Sequence, residues 1–219
     1  VRKLAAVILA TMGATHPVMA QDPAAPILRA AAATGALRID GRLNQADWAG
    51  AQTIGRFRQT EPAEAVPASE RTLVRVLAAA DALVIGIECL DQEPDRIVSF
   101  SVRRDAALFS EDHIRIVLGP FQDGRSGYVF AVNPAGARYD GIVNPGGESD
   151  SADWDGIWEA ATSRDARGWT AEIRIPALTL SFRPGLTSWH FNVQRRIQRR
   201  LETDRWAFPV RQFQVTQTS

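Results

Sequence analysis

The stretch from Tyr128 to Ile142 constrains the fold of this chain more than any other. Tyr128, Phe130 and Val132 alternate with their neighbours, the chain turns at Asn133-Pro134-Ala135-Gly136, and Tyr139 and Ile142 lead it back. Successive side chains on a strand face opposite sides, so period two on both sides of a turn predicts strand–turn–strand. The same alternation recurs along the chain. Leu83, Ile85, Ile87 and Cys89 share one face of a segment over 83–90, and Ile114, Ile116 and Leu118 alternate with His113 and Arg115. Trp169, Ala171, Ile173 and Ile175 alternate with Thr170, Glu172 and Arg174, while Trp189, Phe191 and Val193 oppose His190, Asn192 and Gln194. Further strands are expected over 55–59, 72–77 and 97–102. Helical period is confined to a turn or two around 177–180 and a short turn bearing Ala46 and Trp48, for which Asn44 is the expected cap. Many short strands between Gly, Pro and Asp turns predict an all-β fold, an antiparallel β-sandwich of jelly-roll or immunoglobulin-like type.

A chain of 219 residues suits one good-sized domain. At its start, Arg2 and Lys3 precede an apolar run from Leu4 to Met12, and Val18-Met19-Ala20 places small residues where a signal peptidase cuts. Residues 1–20 are therefore expected to be a cleavable signal peptide, since the apolar run is far short of the ~20 residues of a membrane-spanning helix. The initial Val fits an alternative bacterial start codon. An Ala- and Pro-rich flexible leader is expected over 21–36, the sandwich over 37–210 and a polar tail over 211–219. The mature chain would be periplasmic or secreted, in an oxidising compartment. Cys89 is the only cysteine, so no internal disulfide forms, and its apolar surroundings read as a buried small hydrophobe. Lys plus Arg and Asp plus Glu each total 25, and a neutral chain exerts no general pull on nucleic acid or anionic membrane. The local run Arg195, Arg196, Arg199, Arg200 and Arg205 reads as a solvated strand or loop face.

Chemical motifs are sparse. Gly124-Arg125-Ser126-Gly127 departs from G-x-S-x-G and lies between strands, and His113 and His190 lack partners at zinc-ligand spacing. Glu111, Asp112, Asp140, Asp153 and Asp155 supply carboxylates for a two-acid glycosidase, as any chain this rich in acids would. The loop after the central hairpin concentrates Glu148, Asp150, Asp153 and Asp155 beside Trp154 and Trp158. Acids beside flat aromatic faces suit a metal ion or a sugar ring, and equally a surface loop with two anchoring tryptophans. The register is wrong for an EF-hand, leaving Asp150, Asp153 and Asp155 as candidates for a calcium site built from several loops. For a sugar, Trp154, Trp158, Trp206, Phe109 and Tyr128 offer aromatic faces, and Gln194, Asn192 and nearby arginines offer polar groups. Trp48, Trp169 and Trp189 occupy positions better suited to core.

Several of these residues together resemble family 9 carbohydrate-binding modules. They are Ile39-Asp40-Gly41 with Trp48, Ser110-Glu111-Asp112 before a strand, and Trp169-x-Ala171-Glu172-x-x-Ile175-Pro176. A divergent branch, periplasmic domains joined to large outer-membrane β-barrels, is matched by Arg103-Arg104-Asp105 and by Tyr128-Val129-Phe130-x-Val132-Asn133-Pro134-x-Gly136. Asp153-Trp154-Asp155-Gly156-x-Trp158 and Gln194-Arg195-Arg196 match it as well. The resemblance covers residues 37–210 and implies a secreted module that recognises carbohydrate in polysaccharide recognition or breakdown. The alternatives are a non-catalytic docking domain of an outer-membrane assembly and part of an O-glycoside hydrolase. It implies stacking by Phe109 and Trp206, and a sugar-bonding glutamine at Gln194, with Arg115 as a second polar partner. Other pocket groups of the family fall at Ala131, Arg115 and Thr203, which carry different chemistry, so the family's reducing-end specificity is not expected here. The barrel of the divergent branch does not follow within these residues, which suits a free-standing secreted module or a truncated product.

Overall fold

The computed structural model describes residues 26–35, 37–144 and 149–212. The predicted signal peptide, part of the leader, Glu148 and most of the tail lie outside them. Among the described residues no helix is long and apolar enough to cross a membrane.

The hydrophobic alternation resolves into two stacked sheets. The five-stranded sheet runs in the order β1 (Ala31–Ala32), β3 (Thr72–Ala78), β4 (Ala82–Leu90), β10 (Gly168–Pro176) and β9 (Glu159–Asp165). The seven-stranded sheet runs in the order β2 (Arg58–Glu61), β12 (Glu202–Arg205), β11 (His190–Ile197), β5 (His113–Gly119), β6 (Tyr128–Val132), β7 (Arg138–Val143) and β8 (Asp150–Ser151). The predicted apolar faces meet between the sheets. Ile85, Ile87 and Cys89 of β4 and Ala171, Ile173 and Ile175 of β10 belong to the same buried cluster as Ile114 and Ile116 of β5 and Phe130 of β6. Fully burying side chains of this size stabilises by roughly 1.5–3 kcal/mol each, which makes this interior the main source of stability.

The outer face of the smaller sheet is closed by a short helix, Ala46–Ala49, whose Trp48 packs with Leu77 and Val84. Gly86 makes room for it, since a Cβ there would lie 2.8 Å from the indole. Across the strand pair from Gly86, buried Glu172 accepts hydrogen bonds from the amides of Asp40 and Gly41 at 2.9 Å and from the Trp48 indole at 3.0 Å. Gly41 has φ +80° and lies against the Thr162 backbone, a position open only to glycine. The residues of the Ile39-Asp40-Gly41…Trp48 and Ala171-Glu172 patterns thus form one structural tie.

Four local expectations are corrected. The 97–102 segment is not a strand, because carboxylates take its amides: Asp112 accepts from Val98, and Glu111 from Phe100 and Ser101. Gln45, not Asn44, precedes the helix at its cap position. The strand sought over 55–59 begins at Arg58. Ala31–Ala32, expected in the leader, pairs with Leu77–Ala78, and this edge pairing is parallel, unlike the rest of the fold.

The C-terminal arginine run is not a solvated face. Arg195 is fully buried and crosses the sandwich, donating to the carbonyls of Arg71 and Leu90 and to Thr72 Oγ1 at 3.0–3.2 Å. Arg199 pairs with Asp91 at 2.7 Å and with Glu70 at 2.9 Å, and Arg200 reaches Glu70 at 3.1 Å. The charges of Arg195 and Arg199 are thus engaged inside the protein.

Asp204 is fully buried in the same region. Desolvation, followed by the charge of neighbouring Glu202, pushes its pKa from 3.8 up to about 8. The folded state therefore holds a proton that the unfolded chain loses above its ordinary value. The resulting stability is fully present below pH 3.8 and is lost as pH rises toward about 8. Asp204→Asn removes this dependence. Relative to wild type, the variant is expected to gain about 1–3 kcal/mol between pH 5 and pH 8 in urea denaturation. An unchanged difference at the two pH values would contradict the burial argument.

Candidate functional site

Alternation on the seven-stranded sheet turns one face inward and the other outward, and the outward face is concave around a cavity of about 460 Å³. This is within the range of about 300–1,000 Å³ usual for small-molecule sites. The cross-strand row Gln194–Arg115–Ala131–Tyr139 spans β11, β5, β6 and β7 and forms its floor. The small side chain of Ala131 gives the floor its depth. The 106–109 segment makes one wall, with Phe109 76% exposed, and Ser149 and Asp150 also line the cavity.

The polar groups of the floor are held in place by one another. Asp150 pairs with Arg115 and accepts from the Tyr139 hydroxyl at 2.5 Å. Burial, then the hydrogen bond to Asp150, holds the Tyr139 phenol well above its usual range, so it stays a donor. The Arg115 guanidinium lies 5.8 Å from the centre of the Tyr139 ring. Arg196 donates from Nε to Gln198 Oε1 and from Nη1 to Thr203 Oγ1, both at 3.0 Å. His113 is buried, and desolvation lowers its pKa to about 4, so the imidazole is neutral near pH 7. Its Nδ1 lies 3.0 Å from the Glu111 carbonyl, which can only accept, so Nδ1 carries the proton and Nε2 is left as an acceptor. The cavity thus combines an exposed aromatic face with fixed donors and acceptors, the means by which a protein holds a polyhydroxylated ring.

Among the solved structures that match, three cover most of the chain. A candidate carbohydrate-binding protein from Bacteroides uniformis superposes with TM-score 0.66 at 10% identity, covering 84% of this chain and 90% of that one. A family 9 carbohydrate-binding module from Caldicellulosiruptor kristjanssonii in complex with glucose matches with TM-score 0.58 at 17% identity, covering 82% and 84%. The same organism's module in complex with cellotriose gives TM-score 0.56 at 17% identity, covering 80% and 82%. The chain has the family 9 carbohydrate-binding-module fold. No protein-family model and no curated protein sequence matches it.

Within this module fold the expected site residues divide. Phe109, Gln194 and Arg115 converge on the cavity. Trp206 does not. It lies past the end of β12, donates its amide to the Val193 carbonyl, and packs half-buried against the core with its ring edge-on to Phe191 at 5.9 Å. Trp154 and Trp158 are core anchors of the loop that carries them. Trp158 is 5% exposed and meets Phe130 edge-on at 5.2 Å, while Trp154 lies 4.8 Å from Tyr128. Trp189, expected in the core, is only partly buried and leans on Phe182 at 5.8 Å.

The candidate calcium ligands also go separate ways. Asp150 is held by Arg115 and Tyr139, Asp153 by Ser151, and Asp155 lies 3.2 Å from Arg104. Among the described residues no group of three His, Cys, Asp or Glu side chains converges to hold a metal ion. Asp150 is likewise the one carboxylate among the described lining of the cavity, whereas the glycosidase arrangement needs a facing pair. The sequence did not single out His113, Tyr139, Arg196 and the alanines of the wall, which also line the cavity. His113 stands on the outward face of a predicted strand, and Arg196 continues the register of Gln194 two residues past the predicted strand, which was the available signal.

Proposed function

We propose that this protein is a carbohydrate-binding module whose ligand site is the concave cavity bounded by Phe109, Gln194, Arg115 and Tyr139. The observation that carries the reading is the convergence of an exposed aromatic ring with fixed polar side chains over the Ala131 floor. Phe109 would stack on the apolar face of a sugar ring, and Gln194 and Arg115 would bond its hydroxyls. Neighbours of the same fold in complex with glucose and cellotriose support the class of ligand. The basic and apolar N-terminal pattern supports export, which would place the module in the periplasm or outside the cell, within polysaccharide recognition or breakdown.

Isothermal titration of the protein with a panel of mono- and oligosaccharides, with and without calcium, tests the reading. Saturable binding is expected with at least one glycan. Phe109→Ala and Gln194→Ala are each expected to weaken it by about tenfold or more, the scale of one lost stacking or hydrogen-bonding contact. A flat response across the panel would overturn the reading and direct the search to protein partners in the outer membrane.

A further inference from the structure

A sugar hydroxyl gives a hydrogen as well as taking one, so a site that fixes it needs acceptors beside its donors. Arg115 and Arg196 line the cavity and can only donate, and both are already paired, Arg115 with Asp150 and Arg196 with Glu61 at 3.6 Å. Acceptors among the described lining residues are largely engaged within the protein. Asp150 takes Arg115 on Oδ1 and the Tyr139 hydroxyl on Oδ2, and Thr203 Oγ1 takes Arg196.

His113 differs from these. It lies directly across from Arg196 and two residues before Arg115, on the outward face of β5, and is 8% exposed. The Glu111 carbonyl that faces its Nδ1 at 3.0 Å belongs to a residue held in place on several sides. The Glu111 carboxylate is fully buried and accepts from the amides of Phe100 and Ser101 and from Asn133 Nδ2, at 2.7–3.1 Å. A fixed acceptor at Nδ1 sets the tautomer. With Nδ1 turned into the protein, the ring edge left to the cavity carries Nε2 and its lone pair. Burial lowers the pKa to about 4, and the charges of Arg115 and Arg196 act in the same direction against the carbonyls of Glu111 and Leu108. That lone pair is therefore kept near neutral pH.

We infer that His113 is a further ligand-contact residue of the concave site, its Nε2 accepting the hydrogen of a sugar hydroxyl. This rests on the carbohydrate reading above and adds to it a fixed acceptor beside Arg115 and Arg196. A hydroxyl bound there can accept from a guanidinium N–H while it donates to the imidazole, so both of its hydrogen-bonding roles are met. Removing the acceptor would strand the hydroxyl's hydrogen in a buried place, where an unmade hydrogen bond costs most.

The test follows the imidazole itself, by long-range proton–nitrogen correlation of the whole isotope-labelled protein titrated with glucose, cellotriose and the other glycans of the panel. The free protein is expected to carry the His113 proton on Nδ1. Saturation with a glycan that binds is expected to move the Nε2 resonance upfield, as an unprotonated nitrogen does on gaining a donor, and to leave Nδ1 in place. Two variants separate contact from support. His113→Asn keeps a donor where Nδ1 stood and withdraws the acceptor, and is expected to weaken binding by about tenfold or more. His113→Gln brings an amide oxygen to the reach of Nε2 and is expected to keep most of the affinity. A denaturation curve shows whether each variant is folded, and the wild-type resonances decide the matter even if neither is. A proton on Nε2 in the free protein, an unmoved Nε2 resonance at saturation, or full affinity in folded His113→Asn would overturn the inference and leave the carbohydrate reading standing. No binding of any glycan would overturn both.

Discussion

Arg195→Ala is expected to destabilise the protein by about 3–5 kcal/mol, the usual result of breaking a buried, hydrogen-bonded ion network from one side. The guanidinium is fully buried, joins β11 of one sheet to the Arg71 and Leu90 carbonyls and Thr72 of the other, and lies 3.7 Å from Asp91. Alanine would remove the guanidinium donor from those acceptors, of which the Arg71 carbonyl keeps the Leu90 amide, and remove a positive charge from the surroundings of Asp112 and Asp204. Arg199 would still hold Asp91, which limits the damage to the Arg195 contacts. Urea denaturation near pH 7 measures the loss, and the melting temperature should fall on the order of 10 °C. A loss below about 1 kcal/mol would be typical of a surface pair and would contradict a cross-sheet role.

Phe130→Ala should destabilise by a similar amount, about 3–5 kcal/mol, through lost transfer energy and the cavity left behind. Phe130 is fully buried on the inward face of β6, where Trp158 and Trp154 meet its ring edge-on at 5.2 and 5.9 Å. The substitution withdraws the surface on which the 153–158 loop is anchored. Tryptophan emission should therefore shift to the red in the folded variant, a change that loss of stability alone would not produce. An unshifted spectrum would mean that the two tryptophans are held by other contacts.

The strands readable in advance were those with a strong two-residue alternation, because burial of one face dictates the pattern directly. Glu159–Asp165 and Glu202–Arg205 escaped notice because neither carries an alternation of large apolar residues. The first forms an edge of its sheet, and the second carries buried acids whose environment lies in distant strands. The 97–102 segment misled for the opposite reason. Its composition suits a strand, but Glu111 and Asp112 satisfy its amides in place of a neighbouring strand.

Site residues were legible to a smaller degree. Phe109, Gln194 and Arg115, singled out by family likeness, line one cavity, whereas the placement of Trp206 depends on where β12 ends. Many of the recognisable motifs belong to the scaffold. Glu172 fastens Gly41 and Trp48, Glu111 fastens Asn133 of the Asn-Pro-x-Gly turn at 2.9 Å, and Arg104 holds Asp140 at 2.8 Å beside Gly156. Motifs of this kind specify a frame and not a ligand.

The measurement that bears most directly on the central claim is amide chemical-shift mapping of the isotope-labelled protein, titrated with the glycan that binds it most tightly. The account predicts saturable shifts centred on Ala131, Arg115, Gln194 and the 106–109 wall. Shifts centred on Trp206 and Phe191, or no saturable shift with any glycan, would contradict it.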